Sequence, residues 1–265
     1  MICDCHVHSR GTENGADILR AMDHAGIDRI CLFAPYRGES EEGQRESTDF
    51  MAKVARADPE RIIGFAWIEP RLPIAAEETE RAIADCGLKG VKMIPDHWYP
   101  YDEALFPVYE KVQELGVPML FHSGILFGFK DSSRFCRPVH YEALLHFPGI
   151  KFALAHISWP WTDECLATCG RFRAALYRGE TTQHQMYIDI TPGTPPAWRA
   201  DALRKALEYP GADYLIYGSD CSNATDPEAL RAKLNTDLKL FSEELQLSAA
   251  TQEKILGRNL SKLFE

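Results

Sequence analysis

Cys3-Asp4-Cys5-His6-Val7-His8-Ser9, close to the start of the chain, is the stretch from which the rest can be placed. Read as a β-strand over Ile2 to Val7, it puts alternate side chains on one face, so His6 and His8 point the same way from its C-terminal end. Two imidazoles then converge on one point. Neutral imidazole is a common ligand for Zn²⁺ and similar divalent ions, and a catalytic site needs about three protein ligands with one position left open. A His-x-His pair also arises by chance on a surface, so the remaining strands must supply the other ligands.

Working outward, strand and helix alternate. Asp17 to Ala25 carries Ile18, Leu19 and Met22 at helical spacing and stops at Gly26. Apolar strands follow at Arg29 to Ala34, Ile62 to Ile68, Gly90 to Ile94, Pro118 to His122, Lys151 to His156, Gln185 to Ile190 and Tyr214 to Tyr217. Between them lie helical patterns: one with Phe50, Met51 and Val54, others over Ala75 to Asp85, from Asp102 to Leu115, Val139 to His146, Asp163 to Tyr177 and Ala197 to Leu207. A last helix covers Leu256 to Phe264. Eight apolar strands alternating with helices predict a parallel sheet covered by helices, closed as a (β/α)₈ TIM barrel. A doubly wound open sheet is the alternative, but no Gly-x-Gly-x-x-Gly follows the first strand.

The 265 residues suit one barrel domain over 1–265. A net charge of −10 argues against nucleic acid or an anionic membrane as partner and leaves a small-molecule substrate. No apolar run approaches a membrane span and no basic-then-apolar leader opens the chain, which points to a cytoplasmic protein. The eight cysteines are scattered through apolar segments and read as reduced core residues. Cys165 and Cys169, four apart on a helix, have no second pair near them to complete a metal site.

In a barrel, chemistry collects at the C-terminal ends of the strands. Those ends carry His6 and His8, Lys92, His122, His156, Asp189 and Gly218-Ser219-Asp220. Asp4 shares the inward parity of His6 and His8 and reads either as orienting a ligand from behind or as a hydrogen-bond group of the barrel floor. Lys92 reads as a candidate substrate contact or a structural polar residue, and Asp189 as a polar barrel residue or a ligand contact, while His97, His140 and His146 read as surface or loop residues, as do His24 and His184 more firmly.

Asp4-Cys-His-Val-His8, Gly90-Val-Lys-Met-Ile-Pro95, Leu120-Phe-His-Ser-Gly124, Phe147 to His156, Tyr217-Gly-Ser-Asp220 and Ile255 to Phe264, in this order, resemble the amidohydrolase superfamily of metal-dependent barrel enzymes. The branch they are most similar to is that of aminocarboxymuconate semialdehyde decarboxylase and related lactone hydrolases. The resemblance implies that His6, His8, His122 and Asp220 bind one divalent ion, Zn²⁺ in the first instance with Mn²⁺, Co²⁺ or Fe²⁺ as alternatives. It also implies that His156 contacts bound water or substrate, or ligates a second ion. Some relatives bridge two ions through a carboxylated lysine near the position of Lys92. Barrels of this branch often pair, so a homodimer is expected from the resemblance alone. Asp220 and His156 are the expected catalytic pair: the carboxylate accepts a proton from water and the imidazole stabilises oxyanion charge.

Substrate contacts should come from two loops. Gly124 to Arg137 mixes apolar bulk with Lys130, Arg134 and Arg137, and Ser158-Trp-Pro-Trp161 follows His156 after a single residue. Trp159 and Trp161 would form a flat apolar wall and Arg134 would clamp a carboxylate. The reading is a hydrolase of an amide, lactone or ester, with a non-oxidative decarboxylase on the same site as runner-up and a non-catalytic metal- and ligand-binding barrel as a third hypothesis.

Overall fold

A computed structural model describes all the residues, Met1–Glu265. Eight strands, β1 (Cys3–His8), β2 (Arg29–Phe33), β3 (Ile62–Trp67), β4 (Gly90–Met93), β5 (Met119–Phe121), β6 (Phe152–Leu154), β7 (Met186–Asp189) and β8 (Leu215–Ile216), lie side by side in chain order in one sheet. Every neighbouring pair is parallel. The sheet closes on itself where Cys5 N donates to Tyr217 O at 2.9 Å and His8 N to Cys221 O at 2.8 Å. This is the (β/α)₈ barrel read from the strand pattern.

Helices α1 (Gly15–Ala25), α2 (Glu41–Ala55), α3 (Ala75–Glu80), α4 (Phe106–Leu115), α5 (Thr162–Tyr177), α6 (Pro196–Glu208) and α7 (Pro227–Lys239) connect or follow the strands. Asn14 caps α1 by accepting from Asp17 N, and Ile18, Ala21, Met22 and Ala25 face the core, the one-sided stripe expected of a covering helix. The segment between β5 and β6 departs from the expected α-helix: Pro138–His146 is a 3₁₀ helix. Its buried side chains, Pro138, Tyr141, Leu144 and then Phe147, recur every three residues, the period of the tighter helix. The last expected helix is likewise split, a π turn over Lys254–Arg258 leading into a short α-helix, Asn259–Leu263.

Inside the barrel, Cys3, Cys5, Cys31, Phe33, Phe65, Leu120 and Tyr187 fill the space, with Leu260 and Leu263 packed on the same cluster. Lys151, which precedes β6, donates to Lys262 O, so the C-terminal helix covers the N-terminal end of the barrel. The opposite rim is left open. Gly90 is needed within this packing, because a Cβ there would stand 2.4 Å from the Phe65 ring. All eight cysteines are free, seven of them buried. No helix is long and apolar enough to cross a membrane.

One irregularity of β1 corrects an expectation. Asp4 pairs with Ile30 and Val7 with Leu32, so an extra residue is inserted between them. Such a bulge shifts the alternation of side chains. Cys3 and Cys5 therefore join the inner cluster although His6 and His8 line the pocket above it, and Asp4 leaves the parity of the histidines. Its Oδ1 accepts from Ser219 N at 2.9 Å and His6 N at 3.1 Å, tying β1 to the turn after β8.

Candidate metal centre

At the C-terminal rim, the bulged end of β1 presents His6 and His8, and the turn after β8 presents Asp220. His6 Nε2 and His8 Nε2 stand 3.1 Å apart, and Asp220 Oδ1 lies 3.5 Å from the first and 3.3 Å from the second. Three lone-pair atoms thus face one another. Asp189, at the end of β7, explains how His6 does so: its Oδ2 accepts from His6 Nδ1 at 2.6 Å, with both side chains buried. Nδ1 carries the proton, and Nε2 is left with its lone pair turned to the other two donors. Thr191 N donates to the second Asp189 oxygen at 2.8 Å.

Donors about 2.0–2.1 Å from a tetrahedrally held ion stand about 3.3 Å apart, the spacing found here. Without a metal, a proton on His8 Nε2 bridges to Asp220; once that proton is given up, three lone pairs converge at the spacing a cation requires, so the donor set fits a divalent ion. Electrostatics agree. Burial, reinforced by the Lys92 charge, holds His6 well below the usual histidine range, which keeps it neutral and able to ligate. For Asp220, burial opposes ionisation, but the bond from His8 and the neighbouring imidazoles outweigh it and hold the carboxyl well below the usual range. Asp220 also has φ +52°, a left-handed backbone that a non-glycine residue adopts only when the surroundings enforce it. Lys233 of α7 supplies one enforcement by donating to Ser219 O at 2.9 Å and Asp220 O at 3.1 Å.

His156 follows β6 in a left-handed turn shared with Ile157 and Ser158, at φ +63°, +47° and +53°. Side chains rarely accept this conformation, a β-branched one least of all. It lets His156 lean over the barrel mouth, with its ring centroid 5.1 Å from that of His6. Thr191 Oγ1 lies 2.8 Å from its Nδ1, and Gly193 packs so closely that a Cβ there would stand 2.6 Å from His156 Cβ. One ligating atom each of His6, His156 and Asp220 lie within 4.8 Å of one another. His122 lies beside His156, ring centroids 5.0 Å apart, but its Nε2 is 3.2 Å from Ile125 O and is engaged there. It lines the same pocket as His6, His8 and Asp220 with that nitrogen so engaged.

The pocket over these groups has a volume of about 210 Å³, with Ile94, Ile125, Leu126, Phe127 and Trp159 as its apolar wall. Two expected substrate contacts fall elsewhere. Arg134 is on the surface, 3.5 Å from Asp131 and over the Phe135 ring, because the 3₁₀ turn Ser133–Cys136 buries Phe135 and Cys136 and turns Arg134 outward. Trp161 directly precedes α5 and lines a neighbouring cleft beneath the Arg137 guanidinium, while Trp159 stays in the pocket. His184, expected at the surface, is partly buried between Tyr187 and Tyr214. Cys165 and Cys169 pack in the core.

Thr191, Gly193 and Lys233 were not read from the sequence. Thr191 follows Asp189 at the spacing that shares a strand face, which is a usable signal; Gly193 and Lys233 act through tertiary contacts that carry none.

A parallel barrel with a histidine and carboxylate cluster at its C-terminal rim has the donor types, in the place, that a metal centre needs. The chain belongs to the amidohydrolase family, whose model, described as Amidohydrolase, matches residues 3–265. No curated protein matches the chain. Among solved structures it is similar to a 2,6-dihydroxybenzoate decarboxylase complexed with 2,6-dihydroxybenzoate, with TM-score 0.71 and 17% identity over 99% of this chain and 98% of that one. It is similar to a 5-carboxyvanillate decarboxylase from Novosphingobium aromaticivorans complexed with manganese and 4-hydroxy-3-methoxy-5-nitrobenzoic acid, with TM-score 0.66 and 18% identity over 93% and 78%. It is also similar to a probable 2-pyrone-4,6-dicarboxylic acid hydrolase from Acinetobacter baumannii with citric acid bound, with TM-score 0.65 and 16% identity over 99% and 98%. These likenesses establish the fold.

Proposed function

We propose that this chain is a metal-dependent hydrolase of a small, carboxylate-bearing amide, lactone or ester. The observation that carries it is the meeting of His6 Nε2, His8 Nε2 and Asp220 Oδ1 within 3.5 Å at the mouth of an apolar pocket. One divalent transition metal ion, with zinc or manganese both suited to the donors, would be held there; when bound it supplies Lewis acidity and brings the pKa of a water toward about 7. Asp189 keeps the His6 proton on Nδ1 and so keeps Nε2 available. Asp220, ionised and about one-third exposed to the pocket, takes up a proton at its carboxylate oxygen and passes it to the leaving group. His156, fixed through Nδ1 by Thr191, offers its other nitrogen to the oxygen on which charge develops. Ile94, Ile125, Leu126 and Trp159 exclude water and hold the body of the substrate.

A second reading is a non-oxidative decarboxylase on the same residues. The likeness to two aromatic-acid decarboxylases favours it. A substrate panel of lactones, esters, amides and unsaturated or aromatic acids, offered to the zinc- and manganese-loaded protein, decides between the two. Acid release without carbon dioxide supports the hydrolase, carbon dioxide release the decarboxylase, and inertness in both metal forms contradicts both.

A further inference from the structure

Lys92 projects from β4 into the same pocket and is the one lysine or arginine among the lining residues. Its side chain is wholly buried, and its Nζ has no hydrogen-bond partner. Buried lysines are rare unless paired, since an ammonium removed from water must recover its hydration from the protein. Its one direct contact of this kind is the face of Phe33, whose ring centroid lies 4.4 Å from Nζ, while the charges of Asp189 and Asp220 favour the ammonium without bonding to it. That ring also receives His6 and His8 edge-on, at 4.8 and 5.4 Å, so a single aromatic side chain spaces the lysine from the donor cluster.

The nearby carboxylates are already in use. Asp189 holds His6 and Thr191, Asp220 faces His6 and His8, and Asp4 Oδ1 takes two backbone amides. Asp4 Oδ2 is itself without a partner, but Asp4 does not line the pocket. The loop cations once expected to serve the substrate do not reach in: Arg134 is on the surface and Arg137 is bound to Glu164. An ammonium with free donors therefore waits at a pocket whose other charged groups are committed.

We propose that Lys92 is the anion receptor of this pocket, its Nζ donating to the carboxylate of the substrate while the apolar body of the substrate rests on Ile94, Ile125, Leu126 and Trp159. The inference rests on the reading of a carboxylate-bearing substrate at this centre and deepens it by fixing orientation. The acid group lies on the β4 side of the pocket, and the bond to be cleaved is turned toward Asp220 and His156. A charge-assisted hydrogen bond of this kind changes affinity by about 10- to 100-fold, so the pocket selects acids over their neutral amides.

The test uses metal-loaded protein and a matched pair of probes, benzoate and benzamide, by calorimetry on wild type and Lys92→Met, with metal content measured on the same samples. Expected is a loss of benzoate affinity of about tenfold or more in the variant, benzamide changed by less than about threefold, and metal content unaltered. Unaltered benzoate affinity overturns the proposal, as does absence of benzoate binding to wild type in the millimolar range. Loss of metal from the variant, or a carbamate on Lys92 found as a carbon dioxide adduct by mass spectrometry and ¹³C NMR, also overturns it by making Lys92 part of the metal centre. Should Lys92→Met fail to fold, wild-type protein with ¹⁵N-labelled lysine side chains replaces it. One buried amine signal must then move with benzoate and stay with benzamide, and its failure to move refutes the assignment. A wild type that holds no metal yet prefers benzoate through Lys92 would sink the catalytic reading and leave this one standing.

Discussion

Asp189→Asn removes one acceptor from a carboxylate that uses two. In the wild type one oxygen accepts from Thr191 N at 2.8 Å and the other from His6 Nδ1 at 2.6 Å. Asparagine has one carbonyl oxygen and one NH₂. If the oxygen keeps Thr191, the NH₂ faces Nδ1 and drives His6 into the tautomer protonated on Nε2, which has no lone pair for a metal. If the oxygen keeps His6, the buried Thr191 amide meets an NH₂ and loses its partner, at about 1–3 kcal/mol. Losing the carboxylate behind a ligating histidine typically costs about 10- to 100-fold in metal affinity, or about 1.4–2.7 kcal/mol. Both side chains are at most 1% exposed, which places this pair at the upper end, near about 100-fold. Competition of the metal-free variant against a chromophoric chelator for Zn²⁺ and Mn²⁺, with circular dichroism to establish folding, reads the effect. A folded variant whose metal affinity stays within about threefold of wild type would refute the tautomer argument.

Asp4→Asn tests burial at the base of the site. Burial, partly offset by the amides of Ser219 and His6, pushes the Asp4 carboxyl up to about 7. A raised folded-state pKa means that the folded chain holds a proton which the unfolded chain gives up near pH 4, so this contribution is present at low pH and is lost as pH rises toward 7. Denaturant unfolding should therefore show the variant gaining on wild type by at most about 3 kcal/mol between about pH 5 and pH 8, at 1.36 kcal/mol per unit; a pH-independent difference contradicts it. Lys233→Met frees the carbonyls of Ser219 and Asp220, and should lower stability by about 1 kcal/mol and weaken metal binding less than Asp189→Asn does. Equal or tighter metal binding would show that the Asp220 turn holds without it. Gly193→Ala forces a Cβ to within 2.6 Å of His156 Cβ, so turnover should fall by about tenfold or more while metal content stays near that of wild type. Metal loss in that variant would make His156 a ligand instead.

The barrel was legible because burial on both faces makes each strand an apolar run, and His6, His8, His156 and Asp220 were legible because a barrel rim is where polar residues interrupt those runs. What escaped has local physical causes. The β1 bulge moves Asp4 out of register with the histidines, and no residue type announces it. Arg134 was drawn into the site by its chemistry, whereas the burial of Phe135 and Cys136 decides which way that turn faces. Trp159 and Trp161 look equivalent in sequence, yet one closes the pocket and the other lies directly before α5. His122 sits where the strand pattern put it, and a carbonyl of its own loop, Ile125 O, takes its Nε2. Asp189 was placed correctly at a strand end, but its use, setting the His6 tautomer, depends on a contact across 183 residues of chain.

Elemental analysis of purified wild type and of a His6→Ala/His8→Ala variant, each after reconstitution with Zn²⁺ and with Mn²⁺, tests the metal centre most directly. The account predicts about one equivalent of metal in the wild type and its loss in a folded variant. A wild type that takes up neither metal, or a variant that keeps as much as the wild type, contradicts it.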